Sequence, residues 1–77
     1  MLPEPLPSWV PNRRRAIGGQ IRAERKRQKL TQERLGELAG LDRKTINRVE
    51  RARHATSIDY LLLIADALKV PLAHLVR

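Results

Sequence analysis

Apolar residues in this chain recur at spacings of three and four, and no segment shows a convincing alternation of apolar and polar positions. The pattern therefore predicts helices and no sheet. Its strongest stretch runs from Ile58 to about Lys69, where Ile58, Leu61, Leu62, Ile64, Ala65 and Leu68 cover a broad face. Such breadth implies burial against more than one neighbour. Ser57 stands where an N-cap is needed, and Asp59 follows in the first turn. Pro71 is tolerated only at a helix start, so Val70-Pro71 reads as a corner and Leu72 to Val76 as a short final helix. Leu72, Leu75 and Val76 either close the core over the first helix or contribute to a subunit contact.

Upstream, the pattern predicts two short helices around a tight corner. Thr31 is placed to cap the first, with Glu33 in its first turn; Arg34 stands where a complete capping box needs an acid. Leu35, Leu38 and Ala39 form its apolar face, and Gly40 ends it as a left-handed C-cap. Gly36 lies inside this helix at a propensity cost of roughly 1 kcal/mol, which suggests close approach of the next helix. Leu41 packs in the turn and Asp42 caps the following helix. Ile46 and Val49 point inward there, leaving Arg43, Lys44, Asn47, Arg48 and Arg51 on its other sides. A second helix in this arrangement can enter a DNA major groove, so the segment reads as a helix-turn-helix. Residues 53 to 56 form a loop.

The N-terminal part is less regular. Pro3, Pro5, Pro7 and Pro11 favour extended backbone over residues 1–12, where Trp9 and Val10 also lie. Asn12 can cap a helix after Pro11, but Gly18-Gly19 weakens any helix drawn straight through. The first helix is therefore expected from about Ile17 to Lys29, with Ile17, Ile21, Arg25 and Gln28 on one side. That divides the chain into a flexible Pro/Arg-rich arm, residues 1–16, and a folded domain, residues 17–77.

Charge sharpens this picture. The net charge is +8, and fourteen of the sixteen basic residues fall between Arg13 and Arg53. A basic half beside a near-neutral apolar half suggests one face for a polyanion and another for core or self-association. The chain has 77 residues and no cysteine, which excludes a disulfide framework and a thiolate zinc site. Domains of this size bury only about 60% of their potential surface. No apolar run approaches the roughly 20 residues needed to span a bilayer, and no secretory signal is indicated, so a cytoplasmic location is expected by default. No catalytic constellation, cofactor site or metal site emerges; His54 and His74 have no partner at ligand spacing, and Gly18-Gly19 alone is no nucleotide loop. The chain is not expected to be an enzyme.

Several short motifs occur together in order: Ile21-Arg22, Arg25, Leu30-Thr31-Gln32-Glu33, Leu38-Ala39-Gly40-Leu41, Thr45-Ile46, Arg48-Val49-Glu50, and Leu61 to Val70. In this combination the chain resembles the Cro/C1-type, XRE-like helix-turn-helix repressors over about residues 17–76. The resemblance implies an all-α, compact five-helix lambda-repressor-like domain that binds a two-fold symmetric duplex operator as a homodimer. It implies base-reading roles for Arg43, Lys44 and Arg48, with Asn47 exposed between them as a further candidate. Gln32 matches a phosphate anchor that can brace a neighbouring base contact. Arg25 and Glu50 match a pair joining the first helix to the third. The pairing is also physically reasonable, because Arg25 lies on an inner stripe where an unpaired guanidinium is expensive to desolvate. Glu50 could receive two hydrogen bonds from it.

Arginine and lysine both reach guanine O6 and N7, so Arg43 and Lys44 predict at least one G·C pair per half-site. Gripping phosphate alone is the plainer role for either residue. Thr31, Arg51 and Arg53 are expected at phosphates or on solvated surface. Arg13, Arg14 and Arg15 are expected either to follow DNA as a basic arm or to form a solvated tail. The chain departs from the family pattern at Gly36, where Ala is usual, and at Ala52 and Lys69, where Gly is common. The main rival function is an antitoxin-like subunit whose task is to bind and neutralise a partner protein.

Overall fold

The computed structural model describes residues 5–77, in which five helices and no strand are found. They are α1 (Trp9–Arg27), α2 (Gln32–Ala39), α3 (Arg43–Arg51), α4 (Ile58–Leu68) and α5 (Leu72–Leu75). α3 packs against α1 and α2, α4 against α2 and α5, and α5 also reaches α1. Ile21, Leu35, Ile46, Val49, Ile64, Ala65, Leu68 and Leu75 form one core, so every helix contributes to it. Each fully buried Leu or Ile stabilises the fold by about 1.5–3 kcal/mol relative to exposure.

The local chemistry explains where the middle helices begin. Thr31 Oγ1 accepts from the Arg34 amide at 2.9 Å, Asp42 Oδ1 from Thr45 at 2.7 Å, and Ser57 Oγ from Tyr60 at 3.2 Å. Each satisfies a first-turn N–H that no helical carbonyl can reach. The ends of α1, α2 and α4 each show a residue with left-handed backbone, followed by an amide that reaches back five residues: Leu30 to Arg25, Leu41 to Gly36, and Val70 to Ala65. Glycine supplies that conformation only at Gly40; Lys29 and Lys69 adopt it at the other two ends, as does Ala52 after α3.

α1 differs from the expectation. It begins at Trp9, not near Ile17, so residues 9–16 are helical and not an extended arm. Pro11 lies in the first turn, where its missing N–H has no helical acceptor to lose. Ser8, and not Asn12, precedes the helix, and its carbonyl accepts from the Asn12 amide at 3.2 Å. The helix also runs through both glycines. A Cβ on Gly18 would lie 2.4 Å from the Glu50 carbonyl oxygen, so this glycine allows α1 to rest directly on the α3 backbone. Packing thus overrides propensity. The part of the expected arm at residues 1–4 lies outside the described residues.

Two further expectations change, at Gly36 and on α4, while α5 takes the first of its two expected roles. A Cβ on Gly36 would lie 2.4 Å from the Leu41 carbonyl oxygen, so the close neighbour is the corner before α3 and not a facing helix. Leu75 is fully buried and Leu72 packs on the core, so α5 closes the monomer. The broad apolar face of α4 is only partly covered: Ile64, Ala65 and Leu68 are buried, whereas Ile58 and Leu62 remain 62% and 49% exposed.

Candidate nucleic-acid interface

The start of α3 is fixed by Asp42. Hydrogen bonds from the Thr45 backbone and side chain hold its carboxyl below the usual carboxylate range, and the nearby positive charges of Arg48 and Lys44 add to the effect against a small burial penalty. A helix started in this way leaves Arg43 and Lys44 exposed in its first turn, with Arg48 exposed one turn on and Asn47 half-buried beside it. These four residues, with Arg51, Arg53 and His54, line an open depression of about 390 Å³. Among the described residues, Arg43, Lys44, Arg48, Arg51 and Arg53 enter no salt bridge. The face therefore offers several uncompensated cations at one concave surface, a pattern suited to phosphate oxygens and guanine acceptors.

Behind this face, α3 is tied to α1 through a buried ion pair. Arg25 Nε donates to Glu50 Oε2 at 2.7 Å and Nη2 to Oε1 at 3.1 Å, while Nη1 reaches the Leu30 carbonyl at 2.7 Å. Both side chains are almost fully enclosed, at 9% and 2% exposure. A two-pronged contact between a planar guanidinium and a carboxylate fixes orientation as well as distance. Gln32 Nε2 adds a third hydrogen bond to Glu50 at 3.2 Å, and Asn47 Nδ2 donates to Gln32 Oε1 at 3.3 Å. Arg22, Arg25, Gln32, Asn47, Glu50 and Arg51 border a second depression of about 400 Å³, which shares Asn47 and Arg51 with the first.

The other candidate residues are more scattered. Thr31 is occupied as a cap, although exposed. Arg13, Arg14 and Arg15 are on α1: Arg13 binds the Val76 carbonyl, Arg14 reaches the Arg53 carbonyl at 3.4 Å, and Arg15 pairs with Asn12. They do not form an extended basic arm.

Two arrangements escaped the sequence reading. One is the amide contact between Gln32 and Asn47. The other is Glu24, a buried carboxylate that binds Arg27, Gln28 and His74. The helical stripe could have revealed it, because Ile21, Glu24, Arg25 and Gln28 recur at helical spacing on one side of α1. His74 accordingly faces Glu24 from α5.

Among the described residues no group of three or more His, Cys, Asp or Glu is arranged to hold a metal ion, and no helix is long and apolar enough to cross a membrane. No match is found among curated proteins. Residues 21–75 match the family model described as helix-turn-helix. Among solved structures, the chain is similar to the restriction-modification controller protein C.AhdI from Aeromonas hydrophila. The two are 32% identical, with a TM-score of 0.80 over 84% of this chain and 94% of that one. It is also similar to the hypothetical transcription factor NHTF from Neisseria, at 31% identity and a TM-score of 0.77, covering all of this chain and 87% of the other. The matched span contains the capped helix pair, the locked third helix and its basic face. The chain belongs to the helix-turn-helix family, as a Cro/C1-type, XRE-like DNA-binding regulator.

Proposed function

We propose that this regulator is a cytoplasmic repressor that occupies a two-fold symmetric operator as a homodimer, with α3 of each subunit in the major groove. The observation that carries the reading is the convergence of Arg43, Lys44, Asn47 and Arg48 on one open face of a helix anchored from behind by Arg25 and Glu50. In this reading Arg43 and Lys44 reach guanine acceptors from the first turn, and Arg48 reaches a base or phosphate one turn later. Gln32, Thr31, Arg51 and Arg53 grip the DNA backbone. The positive end of α2 favours a phosphate beside Gln32. Arg13, Arg14 and Arg15 have no minor-groove role in it, being helical and turned to other partners.

A single α3 reads only a few base pairs, so two subunits are needed for a distinctive site. The exposed outer side of α4, with Ile58, Leu62 and Leu63, supplies an apolar surface for self-association. The recognition helices of a DNA-bound dimer then lie about 34–36 Å apart, one turn of duplex. Similarity to a controller protein and a transcription factor favours gene regulation over neutralisation of a partner protein.

Selection of bound fragments from genomic DNA, paired with transcript measurements on deletion of the protein, tests the reading. Sites overlapping promoters, with transcription rising on deletion, are expected. Sites well upstream with falling transcription would make the protein an activator, and no specific retention would remove the DNA-binding reading.

A further inference from the structure

The contacts behind α3 form a polar chain with a fixed direction. At its buried end stands Glu50, which as a carboxylate offers only acceptors and already receives two hydrogen bonds from Arg25. Gln32 can approach it only with its amino group, and Nε2 lies 3.2 Å from Glu50 Oε1. The opposite side of the Gln32 amide is then its carbonyl oxygen, again an acceptor. Asn47 must meet that oxygen with its own amino group, and Nδ2 lies 3.3 Å away. The charge on one buried carboxylate thus sets the orientation of two successive amides. What remains of Asn47 for a ligand is Oδ1 and one N–H, at the junction of the two depressions on the basic face.

An acceptor and a donor on one carboxamide match the major-groove edge of adenine, where N6 donates and N7 accepts. Guanine offers O6 in place of the N6 amino group, so it would set an acceptor against Asn47 Oδ1. A carboxamide free to rotate could reverse its two ends and lose this distinction. The chain through Gln32 opposes that reversal, because a turned Asn47 would place its oxygen against the Gln32 oxygen. We infer that Asn47 reads an adenine in each half-site, and that Gln32 is a positioning residue that transmits its orientation from Glu50. The inference rests on the reading of α3 as the groove-entering helix, and gives that site a second base class beside the guanine expected for Arg43 and Lys44.

The test uses the full chain. A preferred duplex is first obtained by selection from random DNA, and affinities are then measured for that duplex and for every single A·T to G·C replacement within it. Wild-type protein is expected to discriminate by roughly 5- to 150-fold at one A·T pair per half-site that Asn47→Ala no longer distinguishes. Gln32→Met is expected to weaken binding to all duplexes by losing a phosphate contact, and additionally to relax preference at that same pair. The double variant should relax it no further than Asn47→Ala does. Thermal melting of each variant keeps folding separate from recognition, since both side chains are only half-buried. Survival of every A·T preference in Asn47→Ala overturns the inference, as does a Gln32→Met variant whose only effect is a uniform loss. Specific binding is retained in both of those outcomes. Absence of any specific binding by the wild-type chain would instead overturn the DNA-reading assignment and this inference together.

Discussion

Glu24 is buried near the C-terminal end of α1, yet it remains readily ionised because Arg27 and Gln28 donate to its Oε2 and His74 Nε2 lies 3.2 Å from its Oε1. The Arg27 hydrogen bond, followed by that of Gln28, lowers its pKa from an ordinary 4.5 to about 2 against the opposing cost of burial. A carboxyl whose pKa is lower in the folded state contributes stability above its unfolded pKa. That contribution is lost as pH falls through the folded value. The melting temperature of wild type should therefore drop more steeply than that of Glu24→Gln between about pH 4.5 and 2, by the slope of about one proton. The two curves should converge toward the acid end, and parallel curves would show that Glu24 carries no such shift. Burial makes the other carboxylate, Glu50, structurally demanding: removing Arg25 would leave a buried charge whose pairing is normally worth about 3–5 kcal/mol when broken. Its pairing was legible from the inner position of Arg25 and the family motif. The onward contact from Glu50 to Gln32 and Asn47 was not, since it depends on how α2 and α3 meet at their corner.

The helices themselves were legible in proportion to how locally they are determined. Thr31, Asp42 and Ser57 are short polar residues just before helical patterns, and all three accept the expected first-turn amide. The start of α1 was hidden because Pro11 and Gly18-Gly19 lower helix propensity, while the compensation comes from distant chain. Gly18 rests on the α3 backbone, Arg13 binds the Val76 carbonyl, and Gln20 Nε2 reaches the Arg77 carbonyl at 2.6 Å. The adjacent glycines should therefore respond oppositely to the same change. Gly19→Ala adds a methyl with no neighbour within 4 Å, and should stabilise the protein by about 0.5–1 kcal/mol. Gly18→Ala would force apart two backbones, since its Cβ would lie 2.4 and 2.8 Å from the carbonyl oxygens of Glu50 and Val49. It should destabilise despite the gain in propensity, typically by 1–3 kcal/mol for an overpacked site. Chemical denaturation of both variants measures the contrast; equal gains would mean that α1 does not rest on α3 as closely as this. The exposed Lys69 offers a related comparison. With φ of 58°, Lys69→Gly should exceed Lys69→Ala in stability, because both lose the charge and only glycine accepts the left-handed backbone without strain.

Across the whole molecule, the basic face of α3 and the largest group of exposed apolar residues, on α4, lie on different elements. The sequence showed this division in outline and left α5 open between closing the core and a subunit contact, but it assigned too much of α4 to the core. The error arises because a broad apolar helix has the same pattern whether its second neighbour belongs to its own chain or another. If the outer side of α4 joins two subunits, Leu62→Asp should leave the monomer folded while lowering affinity for a full operator toward that for a half-site. Sedimentation should then report a monomer in place of a dimer, whereas an unchanged dimer would move the interface elsewhere. Charge governs the remaining behaviour. The net charge of +8 is carried by residues 13–53, a span that includes α3, so binding should release counterions along the DNA. With about six to ten phosphate contacts, affinity should fall by about 10³–10⁵ between roughly 50 and 200 mM salt. Arg53→Ala should lower the salt slope by about one and weaken all duplexes alike, since a phosphate contact carries no base information. Arg43→Ala should instead lose preference at one G·C pair, by about 1–3 kcal/mol. An equal loss on specific and random DNA for Arg43→Ala would make this residue a second phosphate contact and leave Lys44 as the remaining candidate for that guanine.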